Sequence, residues 1–70
     1  MEGIEMIPVI SSYVSSIGYD PQETQLIINY FNGTQTTFTD VPAGVHDDLM
    51  TALSKGSYVR TIIERTYDSI

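Results

Sequence analysis

Up to Thr39 the apolar residues recur with a period of two, and after Val41 the period lengthens to about 3.6. Residues 24–31 alternate most clearly. Leu26, Ile28 and Tyr30 fall on one face and Ile27, Asn29 and Phe31 on the other, which predicts a strand. Residues 10–19 predict another, rich in Val, Ile, Tyr and Ser. Its alternation falters at Ser15 and Ser16, as a β-bulge would make it. Asp20-Pro21-Gln22-Glu23 predicts a turn between the two, because Pro21 presets φ and Asp20 accepts local backbone bonds. Asn32-Gly33 predicts a type I′ hairpin. Residues 34–39 then return as a Thr-rich strand, half-exposed or at an edge, with Phe38 its one large apolar residue.

Pro42 suits the first turn of a helix. Val45, Leu49, Ala52 and Leu53 form an apolar stripe, while His46, Asp47, Asp48 and Thr51 face away. The acids lie towards the start of this helix and Lys55 near its end, each complementing the macrodipole. Gly56 is placed to end it in a left-handed conformation, and Ser57 to cap a second helix reaching about Thr66. Val59, Ile62, Ile63 and Thr66 are the expected buried side of that helix. Arg60 and Glu64 are spaced as an i,i+4 pair. The expectation is an α+β domain, a three-stranded antiparallel meander followed by two short helices packed on one face (βββαα). Residues 1–9 read as a lead-in, 10–67 as the single domain and 68–70 as a tail.

Size and composition restrict this picture. Seventy residues make one domain, and a chain of this size buries only about 60% of its unfolded surface. There is no cysteine, so no disulfide supports the core, and with one histidine neither a metal nor another cofactor is expected. Oligomerisation is the usual remaining support, so a homo-oligomer is expected. Neither a basic leader nor an apolar run of about 18 residues is present, which fits a cytoplasmic protein, in a host cytoplasm if phage-encoded. The net charge of −6 disfavours long nucleic acid and anionic membrane, because binding to both depends on phosphate neutralisation. A small anion needs only a local pocket, since charges beyond about 8–10 Å are screened.

The cations are concentrated. Lys55, Arg60 and Arg65 are the only basic residues and all lie in the last sixteen positions, whereas the residues before them carry seven acids. Around them, Ser54-Lys55-Gly56-Ser57-Tyr58 has the parts of an anion pocket. A helix starting at Ser57 would offer free backbone N–H groups beside Gly56. Lys55 adds a point charge, Arg60 a planar fork, and Tyr58 a ring to stack on or wall the pocket. Arg65 is a further candidate. The order Lys-Gly-Ser without GxxxxGK is not a P-loop. The bland alternative makes Gly56 a helix stop, Ser57 a cap and Tyr58 core, with the cations solvated or paired with Glu64 and Asp68.

Other candidates are weaker. His46 has no ligand-type partner at metal spacing and reads as an exposed helix residue. Asp47 and Asp48 read as a solvated face. For Thr34, Thr36, Thr37 and Thr39, strand propensity is a cheaper explanation than a polar groove. The pairs Ser11-Ser12 and Ser15-Ser16 lack a nearby base, which speaks against an enzyme. Tyr13, Tyr19, Tyr30, Tyr58 and Tyr67 read mostly as core or interface anchors.

Ser11-Ser12, Ile17-Gly18-Tyr19-Asp20, Asn32-Gly33, Val41-Pro42 and Ser54-Lys55-Gly56-Ser57-Tyr58, in that order, resemble the KTSC domain family across about residues 10–67. The most specific parts are IGYD and SKGSY. That family is a short module found alone in bacteria and phages and at the C-terminus of some lysyl-tRNA synthetases, and RNA binding has been suggested for it. The chain departs from the family pattern in two places. A usual Tyr-x-Tyr in the third strand is here Thr36-Thr37-Phe38, and the Phe-Asn that usually follows the tyrosine is here Val59-Arg60. One change weakens an aromatic platform for RNA and the other adds a phosphate-capable group.

The first functional expectation is therefore a non-enzymatic protein binding a small anionic, nucleotide-like ligand through Ser54, Lys55, Gly56, Ser57, Tyr58, Arg60 and Arg65. In a phage it would sequester a nucleotide signal of host immunity, cyclic forms included. The alternatives are an RNA-binding accessory module and a protein–protein assembly domain that uses the Thr-rich edge.

Overall fold

A computed structural model describes residues 4–70. Four antiparallel strands lie in sheet order β1-β2-β3-β4: β1 (Ile7–Pro8), β2 (Val14–Asp20), β3 (Gln25–Tyr30) and β4 (Gln35–Phe38). Helix α1 (Ala43–Thr51) follows. A second helix runs through residues 55–66 in three stretches: α2 (Lys55–Tyr58), a π-helical turn (Val59–Ile63) and α3 (Glu64–Thr66). The class is α+β as expected, with a fourth strand that the sequence did not reveal. Ile7 pairs with Ile17 and Pro8 with Ser16, so part of the expected lead-in joins the sheet. Two residues are too few to show a period, and a proline is tolerated there only because the strand is at an edge.

The bulge falls where the alternation broke. Register shifts between Val14 and Ser16, so Val14 opposes Tyr30 and Ile17 opposes Ile28. The extra residue lets Val14 and Ile17, three apart, both reach the core side. They join Leu26, Ile28, Phe38, Val41, Leu49, Val59 and Ile63 in a single buried cluster. On the outer face, Asn29 donates from Nδ2 to Ser16 Oγ (3.0 Å) and accepts at Oδ1 from Gln35 Nε2 (2.8 Å).

The hairpin is not type I′. Of Asn32 and Gly33 only Gly33 has positive φ (91°), and Gly33 N donates to Tyr30 O (3.1 Å) while Tyr30 N donates to Thr34 O (2.8 Å). That is a three-residue loop with Gly33 at the left-handed position. Asn32 Oδ1 fixes it by accepting from Thr34 N (2.9 Å). The expected free edge of β4 is also occupied. Thr39 N donates to Asp68 O, Ile70 N donates to Thr37 O, and Phe38 bridges Ser69, so the expected tail lies along the strand.

Helix α1 ends at Thr51, not at Gly56. Ala52 is already extended (φ −66°, ψ 142°). Ser54 then caps the next helix, its side chain accepting from Ser57 N at 3.3 Å. A strong N-cap residue four positions before Tyr58 outcompetes continuation of α1. Leu53 therefore leaves the expected stripe and is fully exposed, and Ile62 is 41% exposed. Thr66 is exposed as well.

The IGYD motif is explained by packing. Ile17 is core. A Cβ on Gly18 would collide with the side chains of Ile4 and Met6, which cross the sheet there. Tyr19 donates its hydroxyl to Val41 O (2.6 Å) and stacks on His46 at 4.7 Å between centroids. Asp20 Oδ1 accepts from Gln22 N and Glu23 N in the following turn.

Candidate functional site

Residues 11–13 approach the start of the second helix so closely that only glycine fits between them. A Cβ on Gly56 would lie 2.8 Å from Ser11 Oγ and 3.2 Å from Tyr13 Cβ. Ser11 cannot easily retreat, since its Oγ accepts from Tyr13 N (3.1 Å) and Val14 N (3.2 Å). Above this contact opens a cleft of about 220 Å³. Ser11, Ser12 and Tyr13 form one wall, and Ser54, Lys55, Ser57 and Arg60 line the other. Ile10 and Leu53, 99% and 108% exposed, stand at its rim. Lys55 is anchored by one bond from Nζ to Ala52 O (3.1 Å), and an ammonium has two further donors to offer.

The aromatic wall is Tyr13, not Tyr58. The Arg60 guanidinium lies 4.4 Å above the Tyr13 ring centroid, a cation–π contact. Tyr58 lines none of the clefts described here and packs against the core, where burial and, less, Asp48 and Tyr67 push its hydroxyl up. Arg65 is exposed and does not line the cleft. Of the seven expected site residues, the fold brings together Ser54, Lys55, Gly56, Ser57 and Arg60. The reading missed Ser11, Ser12 and Tyr13, which are more than forty residues away in sequence. Their one signal was the resemblance at Ser11-Ser12.

Arg60 and Glu64 do not form the expected ion pair; among the described residues no Lys or Arg pairs with a carboxylate, and His46 Nδ1 lies 3.9 Å from Asp47 Oδ1. Glu64 Oε2 instead accepts from both Tyr13 Oη (2.6 Å) and Tyr30 Oη (2.9 Å), whose rings lie 5.1 Å apart and tilted by 60°. The hydrogen bond to Glu64 is the chief cause holding the Tyr13 hydroxyl above its ordinary 10.0, with burial next and Arg60 opposing. For Tyr30 burial comes first and Glu64 second. A hydroxyl with a raised folded pKa contributes stability fully present below the unfolded value and lost as pH rises through the folded one. An absorbance titration of the phenolates should show Tyr13 and Tyr30 ionising late. Glu64→Gln should bring the Tyr13 midpoint down, and an identical curve would disprove the carboxylate's role.

This cluster separates the first cleft from a second, of about 360 Å³, between β4 and the second helix. Tyr30, Asn32, Thr34, Thr36, Phe38 and Glu64 line it, together with Tyr13 and Ser69. Thr34 and Thr36 thus line a groove, one whose surface is more apolar than polar. Among the described residues no group of acids and histidines is placed to hold a metal, and no helix is long and apolar enough to cross a membrane.

Comparison with known proteins agrees with this architecture. A protein of Tsukamurella paurometabola is 35% identical over 65 residues, covering 93% of this chain and 97% of its own. The crystal structure of a KTSC domain protein from Yersinia pestis superposes with a TM-score of 0.92 at 31% identity, covering 97% of this chain and 96% of that one. Ser54, Gly56, Tyr19 and Asp20, which carried the resemblance, each have a defined structural task. With residues 10–67 matched by the family's own model, the chain belongs to the KTSC domain family.

Proposed function

We propose that the protein binds, without turnover, a small anionic ligand of nucleotide type in the cleft between residues 11–13 and the second helix. One observation carries this reading: Lys55 and Arg60, two of the chain's three cations, line a single concavity with serine hydroxyls. Arg60 offers a planar donor array and Lys55 a mobile charge, the two usual ways of holding phosphate. The volume of about 220 Å³ is below that of pockets enclosing drug-sized ligands, about 300–1,000 Å³. A phosphate and part of a sugar fit, and the remainder of the ligand lies outside. Such a protein would act by sequestration, and in a phage the ligand would be a nucleotide signal of host immunity. Self-association belongs to the same reading, with exposed Ile10 and Leu53 at the rim as its apolar surface.

The test is calorimetry with nucleoside mono- and diphosphates and cyclic dinucleotides. Lys55→Ala with Arg60→Ala should weaken binding about tenfold or more, on the scale of charge-assisted bonds discounted for exposure. Unchanged affinity in a folded double variant refutes the site.

A second reading, an RNA-binding accessory module, is favoured by Phe31, 62% exposed beside Tyr13, Tyr30 and Asn32. It requires binding to a long single strand that weakens steeply with salt.

A further inference from the structure

We infer that the second cleft is the base subsite of the same ligand, and that Glu64 there selects nucleobases carrying an amino group. The inference rests on the phosphate reading of the first cleft. Tyr13 lines both clefts, so they are neighbours, and the ligand inferred here spans the two. Their chemistry is opposite. The first has Lys55 and Arg60; the second has no cation and one carboxylate, Glu64. A nucleotide has the matching polarity, with an anionic end and a neutral end rich in hydrogen-bond donors.

The details favour a base over a second phosphate. Tyr13 and Tyr30 both donate to Oε2 of Glu64, which leaves Oε1 without a hydrogen bond among the described residues. An exocyclic amino group is the donor such an oxygen accepts, as carboxylates do from the cytosine amino group in base readout. Asn32, Thr34 and Thr36 supply polar partners for ring nitrogens and ribose hydroxyls, and Phe38 and Tyr30 supply apolar wall. Tyr13 itself is no stacking platform, because Arg60 covers its ring and Tyr30 packs beside it. Selectivity therefore comes from the carboxylate, not from stacking.

The experiment compares nucleotide pairs that differ only by the amino group: guanosine against inosine monophosphate, and adenosine against purine riboside monophosphate. The amino-bearing member of at least one pair should bind about tenfold more tightly. Glu64→Gln keeps an amide oxygen for the tyrosines but presents a donor beside it, and should abolish the difference. Thr36→Tyr, which fills the cleft from the strand side, should do the same and serves if the first variant is unstable. Both should still bind inorganic phosphate in the first cleft. Equal affinity within both pairs, or a preference that survives both variants, overturns the inference while leaving the phosphate site standing. Failure of wild-type protein to bind any of these nucleotides or inorganic phosphate overturns both.

Discussion

Leu49→Ala is expected to bring the domain to the edge of unfolding. Leu49 is the one buried side chain of α1 and fully enclosed in the core. Val45 and Met50 only pack against that core from partly exposed positions. Truncating a buried leucine costs about 2–5 kcal/mol, the loss of transfer energy plus the cavity left behind. A chain of this length has roughly 4–10 kcal/mol of total stability. At about 4–8 °C per kcal/mol for domains of this size, Tm should fall by about 8–40 °C. Circular dichroism melts of the two proteins decide the matter, and a drop of only a few degrees would mean that α1 is held by something else. The remainder of α1 supports this weighting, since no side chain caps its N-terminus and Pro42 leaves its first turn to backbone bonds alone.

Gly56→Val should damage stability and binding together. The branched side chain enters a space where even a Cβ lies 2.8 Å from Ser11 Oγ and 3.2 Å from Tyr13 Cβ. Overpacking costs about 1–3 kcal/mol. Displacing Ser11 also strains its bonds to Tyr13 N and Val14 N, worth about 1 kcal/mol each. A net loss of about 3 kcal/mol is expected, with the wall of the first cleft pushed outward and nucleotide affinity lost with it. Gly56→Ala is a finer probe, because alanine gains about 1 kcal/mol of helix propensity over glycine. Combined with Ser11→Ala it should be non-additive, since the serine oxygen is the nearest obstacle. Strict additivity in urea unfolding would mean that helix and residues 11–13 do not touch.

Gly56 also illustrates how far the sequence could be read. The residue was identifiable as special, but for the wrong reason. A glycine after Lys55 resembles a helix stop, whereas here it sits inside the second helix and makes room for Ser11 and Tyr13. Local patterns announce themselves locally, as the stumble at Ser15 and Ser16 did for the bulge. Close approach between segments more than forty residues apart leaves no periodic trace. The same limit hid Tyr13. Five tyrosines read alike as anchors. What distinguishes Tyr13 is Glu64, fifty-one positions away, and Arg60 above its ring. Lys55 and Arg60 were legible because charge is conspicuous in a chain with so few cations. Tyr58 was misjudged because adjacency in sequence does not mean a shared direction on a helix.

The π-turn at Val59–Ile63 has a consequence for how the clefts arose. Its closing bond runs from Glu64 N to Val59 O, one residue longer than an α-helical turn. Each residue advances an α-helix by about 100°. The wide turn takes one extra residue for nearly the same rotation, so closing these residues as an ordinary α-helix with none removed would swing everything after them by roughly 100° around the axis, carrying Glu64 away from Tyr13 and Tyr30. Helical phase, set by this one wide turn, therefore decides whether the carboxylate meets its two phenols. Loss of the wide turn alone would refashion the partition between the two clefts with every side chain of the cluster still present.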